Sequence, residues 1–526
     1  MSVLFSGKGS VFVEKILGKI DKTVFTVSSL ICLFFVLWGL LFPDHAGATF
    51  SVWLAFFTGN FGWLYLIIVT CFVFFLIFLC VHKVGGMRLG KDDDVPKYKT
   101  STWFFMLFCA SMGIGLVFWG VAEPIYHLLS PPFHEAEGAE AARAAMRTSF
   151  MHWGLHPWAV YGVVGVALAY WQYRKDKPAL LSSALIPLYG EKGAVGWMGK
   201  SVDTLAVFAT IFGVATSLGL GAMQITSGLS YVYNTPNTTT VTVIIVASMT
   251  ALFILSAVSG IDRGILFLSR TNIWLSLVIM VFVLVTGPTL FILNVFTDSI
   301  GAYLTEFLRI SFWTDPYRTN PGWLGSWTVF YWAWWLTWGP FVGGFIARIS
   351  KGRTIREFII GALFCPVLVC FLWFSVMGGT AISFELEGNH AVSEAVADNV
   401  ANAMFALLGQ LPLSVVLCAV ATVLIGIYFI TSADSATFVC AMMTSYGVQD
   451  PKKKLKIFWG VVKGFVAAVL LITGGLTAVQ TIAIVAAFPF MLVCVALMIS
   501  MFKSFRKDPF MTRKQTSEIS GQAPRH

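Results

Sequence analysis

Twelve apolar stretches of roughly membrane-spanning length fill most of this chain, at 23–42, 56–81, 102–129, 150–173, 205–230, 241–258, 273–296, 328–349, 358–377, 413–442, 457–472 and 481–501. A helix needs about 20 apolar residues to cross the hydrocarbon of a bilayer, and only a segment that satisfies its own backbone can stay there. The pattern predicts an all-α polytopic membrane protein with 12 transmembrane helices. Composition agrees: 57% of residues are hydrophobic and 12% charged, where a soluble domain carries about 25%. In 526 residues the spans and their loops leave little for a soluble domain.

The net charge of +9 would suit nucleic acid if it lay on one soluble face, but its placement follows the membrane instead. With the N-terminus inside, the basic segments 83–99, 174–177, 348–356 and 452–456 join both tails on one side, and Arg143, Arg147, Arg309 and Arg318 lie on the other. Basic loops are retained in the cytoplasm during insertion, so the expected location is a bacterial inner membrane with both termini cytoplasmic. The outer loops are acidic at Glu135, Glu137, Glu140, Glu385, Glu387, Glu394 and Asp398. All nine cysteines sit in apolar runs, which predicts neither disulfides nor a metal centre. The outer stretch 298–309 puts Ile300, Tyr303, Leu304 and Phe307 on one helical face, as an interfacial helix or a packed surface helix would. The basic tail with Lys503, Arg506, Lys507, Arg513 and Lys514 suits anionic lipid, and retention on the inner side explains it equally.

The third span reads CASMGIGLVFWGVAEP, with Gly113, Gly115 and Gly120 in an apolar run and Pro124 near its end. Such a helix can unwind and expose carbonyl oxygens to a cation. The eighth reads FYWAWWLTWGPFVGGF, where Gly339 and Pro340 are expected to break the helix. Two interrupted helices five spans apart imply an inverted repeat, spans 3–7 and 8–12, with a site near the midplane. Each glycine cluster alone reads as well as a helix–helix contact.

Tryptophan is concentrated in those spans: Trp332, Trp334, Trp335 and Trp338 in the eighth, with Trp153, Trp158 and Tyr161 in the fourth. A trimethylammonium group donates no ordinary hydrogen bond, so its natural receptor is a box of aromatic faces; ordinary aromatic packing is the alternative. Trp334 and Trp338 share a helical face and Trp335 is expected on another. Glu123 and Asp434 are the carboxylates within spans, with Asp203 near a boundary; Glu123, beside Pro124, organises a helix end or relays protons. Lys463 is expected to snorkel to the cytoplasmic surface. The tenth span ends in YFITSADSATF, whose hydroxyls either ligate sodium or bond back to their own helix. The chain has neither H-E-x-x-H nor G-x-S-x-G, so an intramembrane enzyme has no assembled chemistry, and an aromatic-filled midplane obstructs a channel.

The segments MGIGL with FWGVAEP, HWGLHPWAVY, FATIFGVATSLGLGAMQI, WTVFYWAWWLTWGPFVGGFIARISKGRTIREF and ITSADSATF, in that order, resemble the betaine/choline/carnitine transporter family across residues 20–505. The resemblance implies a LeuT-like core of two inverted five-helix repeats behind two extra helices, and a homotrimer. The division would be a tail 1–22, two peripheral helices and a basic loop 23–100, a first repeat 101–296, an outer helix and loop 297–325, a second repeat 326–502 and a short tail 503–526. It implies a sodium-coupled importer of glycine betaine or a related zwitterionic quaternary-ammonium or sulfonium osmolyte, working by alternating access, with sodium as coupling ion and no other cofactor. A choline carrier or a sodium-independent exchanger is the alternative.

Carried over by motif, the resemblance makes Trp153, Trp158, Tyr161 and Trp335 the aromatic box, with Trp334 and Trp338 beside the pathway, Met112, Gly113 and Gly115 against the substrate, and Phe330 near the access route. One sodium site would use carbonyls near Cys109 and Met112 with the hydroxyls of Thr431 and Ser432. A second would use Thr210, Ser217 and the ring of Phe341, where Val214 replaces the threonine of sodium-coupled betaine carriers. Gly115 suits a zwitterion, where choline carriers tend to have aspartate. The exchangers carry an arginine in the fifth span, and this chain has no Lys or Arg across 205–230.

Overall fold

A computed structural model describes residues 17–132, 138–259 and 262–511 of the chain. Glu135, Glu137, Arg513 and Lys514 lie outside the described residues. Every regular element among them is helical. The helices are α1 (Lys22–Leu41), α2 (Pro43–Val81), α3 (Thr100–Ser111), α4 (Ile114–Leu129), α5 (Gly138–Trp153), α6 (Leu155–Ala169, continued by a π turn Tyr170–Arg174) and the short α7 (Leu181–Ala184) and α8 (Ile186–Val195). They continue with α9 (Trp197–Tyr233), α10 (Thr239–Ser259), α11 (Asp262–Thr286), α12 (Thr289–Ser311), α13 (Phe330–Ile349, entered by a π turn Gly325–Val329) and α14 (Ile355–Leu386). The last four are α15 (Ala391–Asp398), α16 (Ala403–Gly409), α17 (Ser414–Met443) and α18 (Lys453–Arg506).

Among the described residues eight helices are long and apolar enough to cross a membrane, and nine if the bent pair α3 and α4 is one span. The chain is thus a multi-pass membrane protein. Other expected spans are divided, merged or tryptophan-rich. The fourth is split between α5 and α6 at Gly154. The last two are fused in α18, whose 54 residues measure about 80 Å and are kinked at Gly474 and Gly475, the latter at φ +54° and ψ −129°, open only to glycine.

Burial sorts the helices. In α9, 89% of the apolar window is buried inside the protein, against 22% in α10 and 33% in α1, so α9 is central and the others face lipid. Polar residues punctuate the ends: the Asp21 carboxylate accepts the amides of Thr23 and Val24 to start α1, and Thr354 with Glu357 forms a reciprocal capping box at α14.

Two expected interruptions come out differently. The α3–α4 pair bends by 60°, with Met112 (φ −88°, ψ 129°) and Gly113 (φ −171°, ψ 179°) extended between the helices. By contrast α13 runs unbroken through Gly339 and Pro340. A proline removes one amide and is tolerated in a membrane helix whose neighbours hold it. Gly339 serves packing, since a Cβ there would meet Phe490 at 3.2 Å and Val164 at 3.5 Å. The expected span 273–296 ends early, at Thr286, and α12 starts after Pro288. In α12, Tyr303 is buried while Leu304 is 62% exposed, so the apolar face predicted at 300–307 is divided between the core and the outside.

Lys463 also departs from expectation. It has no exposed surface and donates to the Ala433 carbonyl of α17 at 3.2 Å, satisfying the ammonium inside the bundle instead of at the surface.

Candidate functional site

The break between α3 and α4 is where the chemistry collects. The last carbonyls of α3, Cys109's among them, have no amide four residues on, and the first amides of α4 have no carbonyl four residues back. A helix C-terminus and a helix N-terminus therefore meet at one point, the first favouring a cation and the second an anion. Cys109, Met112, Gly113, Ile114 and Gly115 all line a cavity of about 230 Å³ at this point, smaller than the ~300–1,000 Å³ of a typical drug-sized pocket.

Aromatic rings from α5, α6 and α13 form the opposite wall. Trp153, Trp158, Tyr161, Trp334, Trp335 and Trp338 all line the cavity. Trp153 meets Trp335 edge-on at 4.8 Å and 74°; Tyr161 lies 5.4 Å from Trp158 and 6.4 Å from Trp335, near-perpendicular to both. The four box residues are each 4–6% exposed, the small remainder being what opens on the cavity. Trp335 was expected on a different face from Trp334, yet the two rings stack at 4.8 Å and 16° and both reach the cavity, because adjacent indoles bridge the angle between neighbouring positions. Trp332 faces away, stacked on His156 at 4.7 Å. Phe330, expected near the access route, is fully buried against Trp334 at 5.5 Å and 15° and does not line the cavity.

Hydrogen bonds fix the rings. The Trp335 indole donates to the His152 carbonyl at 3.0 Å, and Trp338 donates to the Gly213 carbonyl at 3.0 Å. The Trp334 N–H is buried without a partner in the protein. Gly115 is the closest backbone approach, for a Cβ there would lie 2.5 Å from Trp334 and 3.2 Å from Trp153. Among the described residues no Asp, Glu, Lys or Arg lines this cavity.

Thr431 and Ser432 of α17 line it too, with Ser435. The Thr431 hydroxyl donates to the Ile427 carbonyl at 3.0 Å and accepts the Asn272 amide at 3.3 Å. Asn272 and Tyr428, both in the lining, were missed by sequence reasoning: Asn272 ends the polar stretch 269–272, Tyr428 lies within an apolar run, and only packing brings them to the site.

Of the second sodium set, Phe341 lines the cavity and Thr210 and Ser217 do not. Thr210 donates back to the Ala206 carbonyl at 2.8 Å, and the Ser217 hydroxyl is buried without a partner. Val214 is buried among them, with no side-chain oxygen to offer.

Phe341, Phe345 and Ser435 also border a second space of about 810 Å³, lined by Arg348, Asp434, Phe438, Lys452 and Lys456. The aromatic cavity thus adjoins a wider vestibule on the side of the basic loops.

Comparison with known proteins agrees with this architecture. The chain matches the betaine/carnitine/choline family transporter profile over residues 23–510. It is 46% identical over 508 residues to the glycine betaine transporter OpuD of Bacillus subtilis (strain 168), an alignment covering 96% of this chain and 98% of that one. It is 45% identical over 493 residues to a "Probable glycine betaine transporter" of Desulfitobacterium hafniense (strain Y51), covering 93% and 98%. It is 41% identical over 490 residues to the ectoine/hydroxyectoine transporter of Virgibacillus pantothenticus, covering 93% and 97%. The relatives are transporters and not enzymes, and the match runs through every helix that builds the cavity: this chain belongs to the betaine/carnitine/choline transporter family.

Proposed function

We propose that the protein imports glycine betaine or a closely similar zwitterionic osmolyte across a bacterial inner membrane, driven by sodium. The observation that carries this reading is an aromatic cavity that no charged side chain among the described residues lines, set against a broken helix. A substrate with a methylated onium and its own carboxylate needs no protein counter-charge. Its onium lies among the faces of Trp153, Trp158, Tyr161 and Trp335, each contact worth about 2 kcal/mol when desolvated. Its carboxylate meets the free amides at the start of α4. Choline, a cation without a carboxylate, is served less well.

Sodium is assigned to the other side of the break, between the end carbonyls of α3 and the hydroxyls of Thr431 and Ser432. The ion draws α3 and α17 together, and coupling follows because substrate then binds the ion-loaded state more tightly. Val214 leaves the set around Thr210 short of an oxygen, so the first site carries the coupling ion. In alternating access the vestibule beside Arg348 and Lys456 is the cytoplasmic exit, and the twelve-span count with both termini inside belongs to this proposal. So does a homotrimer, for which the exposed Leu290, Leu304 and Leu308 of α12 offer an apolar face.

The test is uptake of radiolabelled glycine betaine into proteoliposomes under a sodium gradient. Uptake is expected to collapse when potassium replaces sodium and to be competed by ectoine more than by choline. Equal rates in the two salts would refute coupling. Unchanged affinity in Trp335→Leu would remove the aromatic site.

A further inference from the structure

Glu123 of α4 has no exposed surface and does not line the cavity, yet it holds residues that do. One carboxylate oxygen takes His152 Nδ1 at 2.7 Å and His127 Nε2 at 3.3 Å. The other accepts the Trp153 indole N–H at 2.7 Å and the Tyr331 hydroxyl at 2.5 Å. Trp335 is reached twice over: its N–H donates to the carbonyl of His152, and its ring lies on that of Tyr331 at 5.7 Å and 21°. His152 is itself fixed on its far side by the Thr328 hydroxyl at 2.9 Å. A carboxylate in the middle of a membrane bundle is costly unless fully satisfied. Here four donors from α4, α5 and α13 satisfy it, so one side chain joins the broken helix to two of the three helices that carry the box.

We propose that Glu123 is a positioning residue for substrate binding. It locks Trp153 directly, and Trp335 through His152 and Tyr331, with their faces turned to the cavity. The inference rests on the aromatic cavity being the substrate site. Hydrogen bonding leaves neither carboxylate oxygen free for another duty, which sets positioning ahead of the alternative that Glu123, His127 and His152, whose ligating atoms lie within 4.8 Å of one another, hold a metal ion.

The test is equilibrium binding of radiolabelled glycine betaine to purified protein in saturating sodium. Glu123→Ala and Trp153→Phe are each expected to weaken binding about tenfold or more. The double variant should lose less than the product of the two single losses, because the Glu123–Trp153 bond can be lost only once while the hold on Trp335 remains to be lost. Glu123→Gln, which keeps a carbonyl acceptor, should recover part of the affinity. Binding within about twofold of wild type in Glu123→Ala, or losses that multiply in the double variant, overturns the proposal. So does a stoichiometric metal in the wild-type protein that Glu123→Ala lacks. Trp158→Leu separates the two levels: if it binds normally the cavity reading fails, and if it weakens binding while Glu123→Ala does not, only the role of Glu123 fails. Should Glu123→Ala not fold, Tyr331→Phe, which deletes one donor at nearly constant volume, carries the test, with weakened binding expected and wild-type binding overturning it.

Discussion

The phenolic oxygen of Tyr303 accepts the amide N–H of Leu155 at 3.1 Å, so a helix on the outside of the bundle caps the break beside Trp153. Leu155 is the first residue of α6 and its amide is an orphan of the helix start. Arg147 paired to Glu306 at 2.7 Å, and His156 bonded to Ser311 at 3.1 Å, hold α12 in register over the same break.

Removing the phenol with Tyr303→Phe leaves that half-buried amide without an acceptor, a cost of about 1 kcal/mol. A lower unfolding temperature and weaker glycine betaine binding are expected together, because the loosened break carries Trp153. A variant matching wild type in both measurements would show that α12 does not support the site.

Much of this was legible in the sequence, and what was not has physical reasons. Eight or nine of the spans follow from apolar run length alone, and the third-span break follows from its glycines, with close approach to Trp334 demanding a missing Cβ at Gly115. The Gly339–Pro340 motif looks equally disruptive, but its neighbours from α6 and α18 hold the helix together, and no local signal reports them. Phe330 has the residue type of a lining ring and lies one turn before Trp334, on its buried side. Asn272, at the end of the polar stretch 269–272, and Tyr428, within an apolar run, have roles that depend wholly on which helix α17 packs beside. The Glu123 junction needs partners 29 and 208 residues away in sequence, a distance no spacing rule covers.

Gly115→Ala tests the closest contact in the cavity. The added Cβ meets Trp334 at 2.5 Å and Trp153 at 3.2 Å, and overpacking of this kind costs about 1–3 kcal/mol. If the rings absorb it, the box deforms, so binding should weaken about tenfold while the purified protein remains monodisperse. Undiminished affinity would place the substrate elsewhere.

Thr431→Val tests the ion site against a matched control. The substitution keeps the shape and removes the hydroxyl of a residue that lines the cavity. The sodium concentration for half-maximal uptake should rise, with less effect at saturating sodium. Thr437 makes the same kind of backbone bond, to the Ala433 carbonyl at 2.6 Å, outside the cavity lining, so Thr437→Val should leave sodium dependence unchanged. Equal behaviour of the two variants would reduce Thr431 to a hydroxyl that only bonds its own helix.

At the end of the bundle that carries the basic loops, Asp508 accepts Arg174 through both oxygens, at 2.7 and 3.0 Å, with Lys175 at 2.9 Å and the Tyr170 hydroxyl at 2.8 Å. Arg174 also bonds Asp92 at 2.8 Å, so the start of the tail, the end of the fourth span and the basic loop form one clasp. Burial pushes the Asp508 carboxyl up, but the bonds from Arg174 and Lys175 outweigh it and hold it well below the usual carboxylate range. A group with a lowered value when folded contributes stability that is complete above its unfolded value of about 3.9 and is lost progressively as pH falls from there through the folded one. Asp508→Asn breaks a pair whose side chains are 1% and 7% exposed, at a cost of about 3–5 kcal/mol. The gap in unfolding temperature between wild type and variant should therefore be constant from about pH 8 to about pH 5 and narrow only below about pH 4. A gap that already closes between pH 8 and 5 would mean that the clasp depends on a group other than this carboxylate.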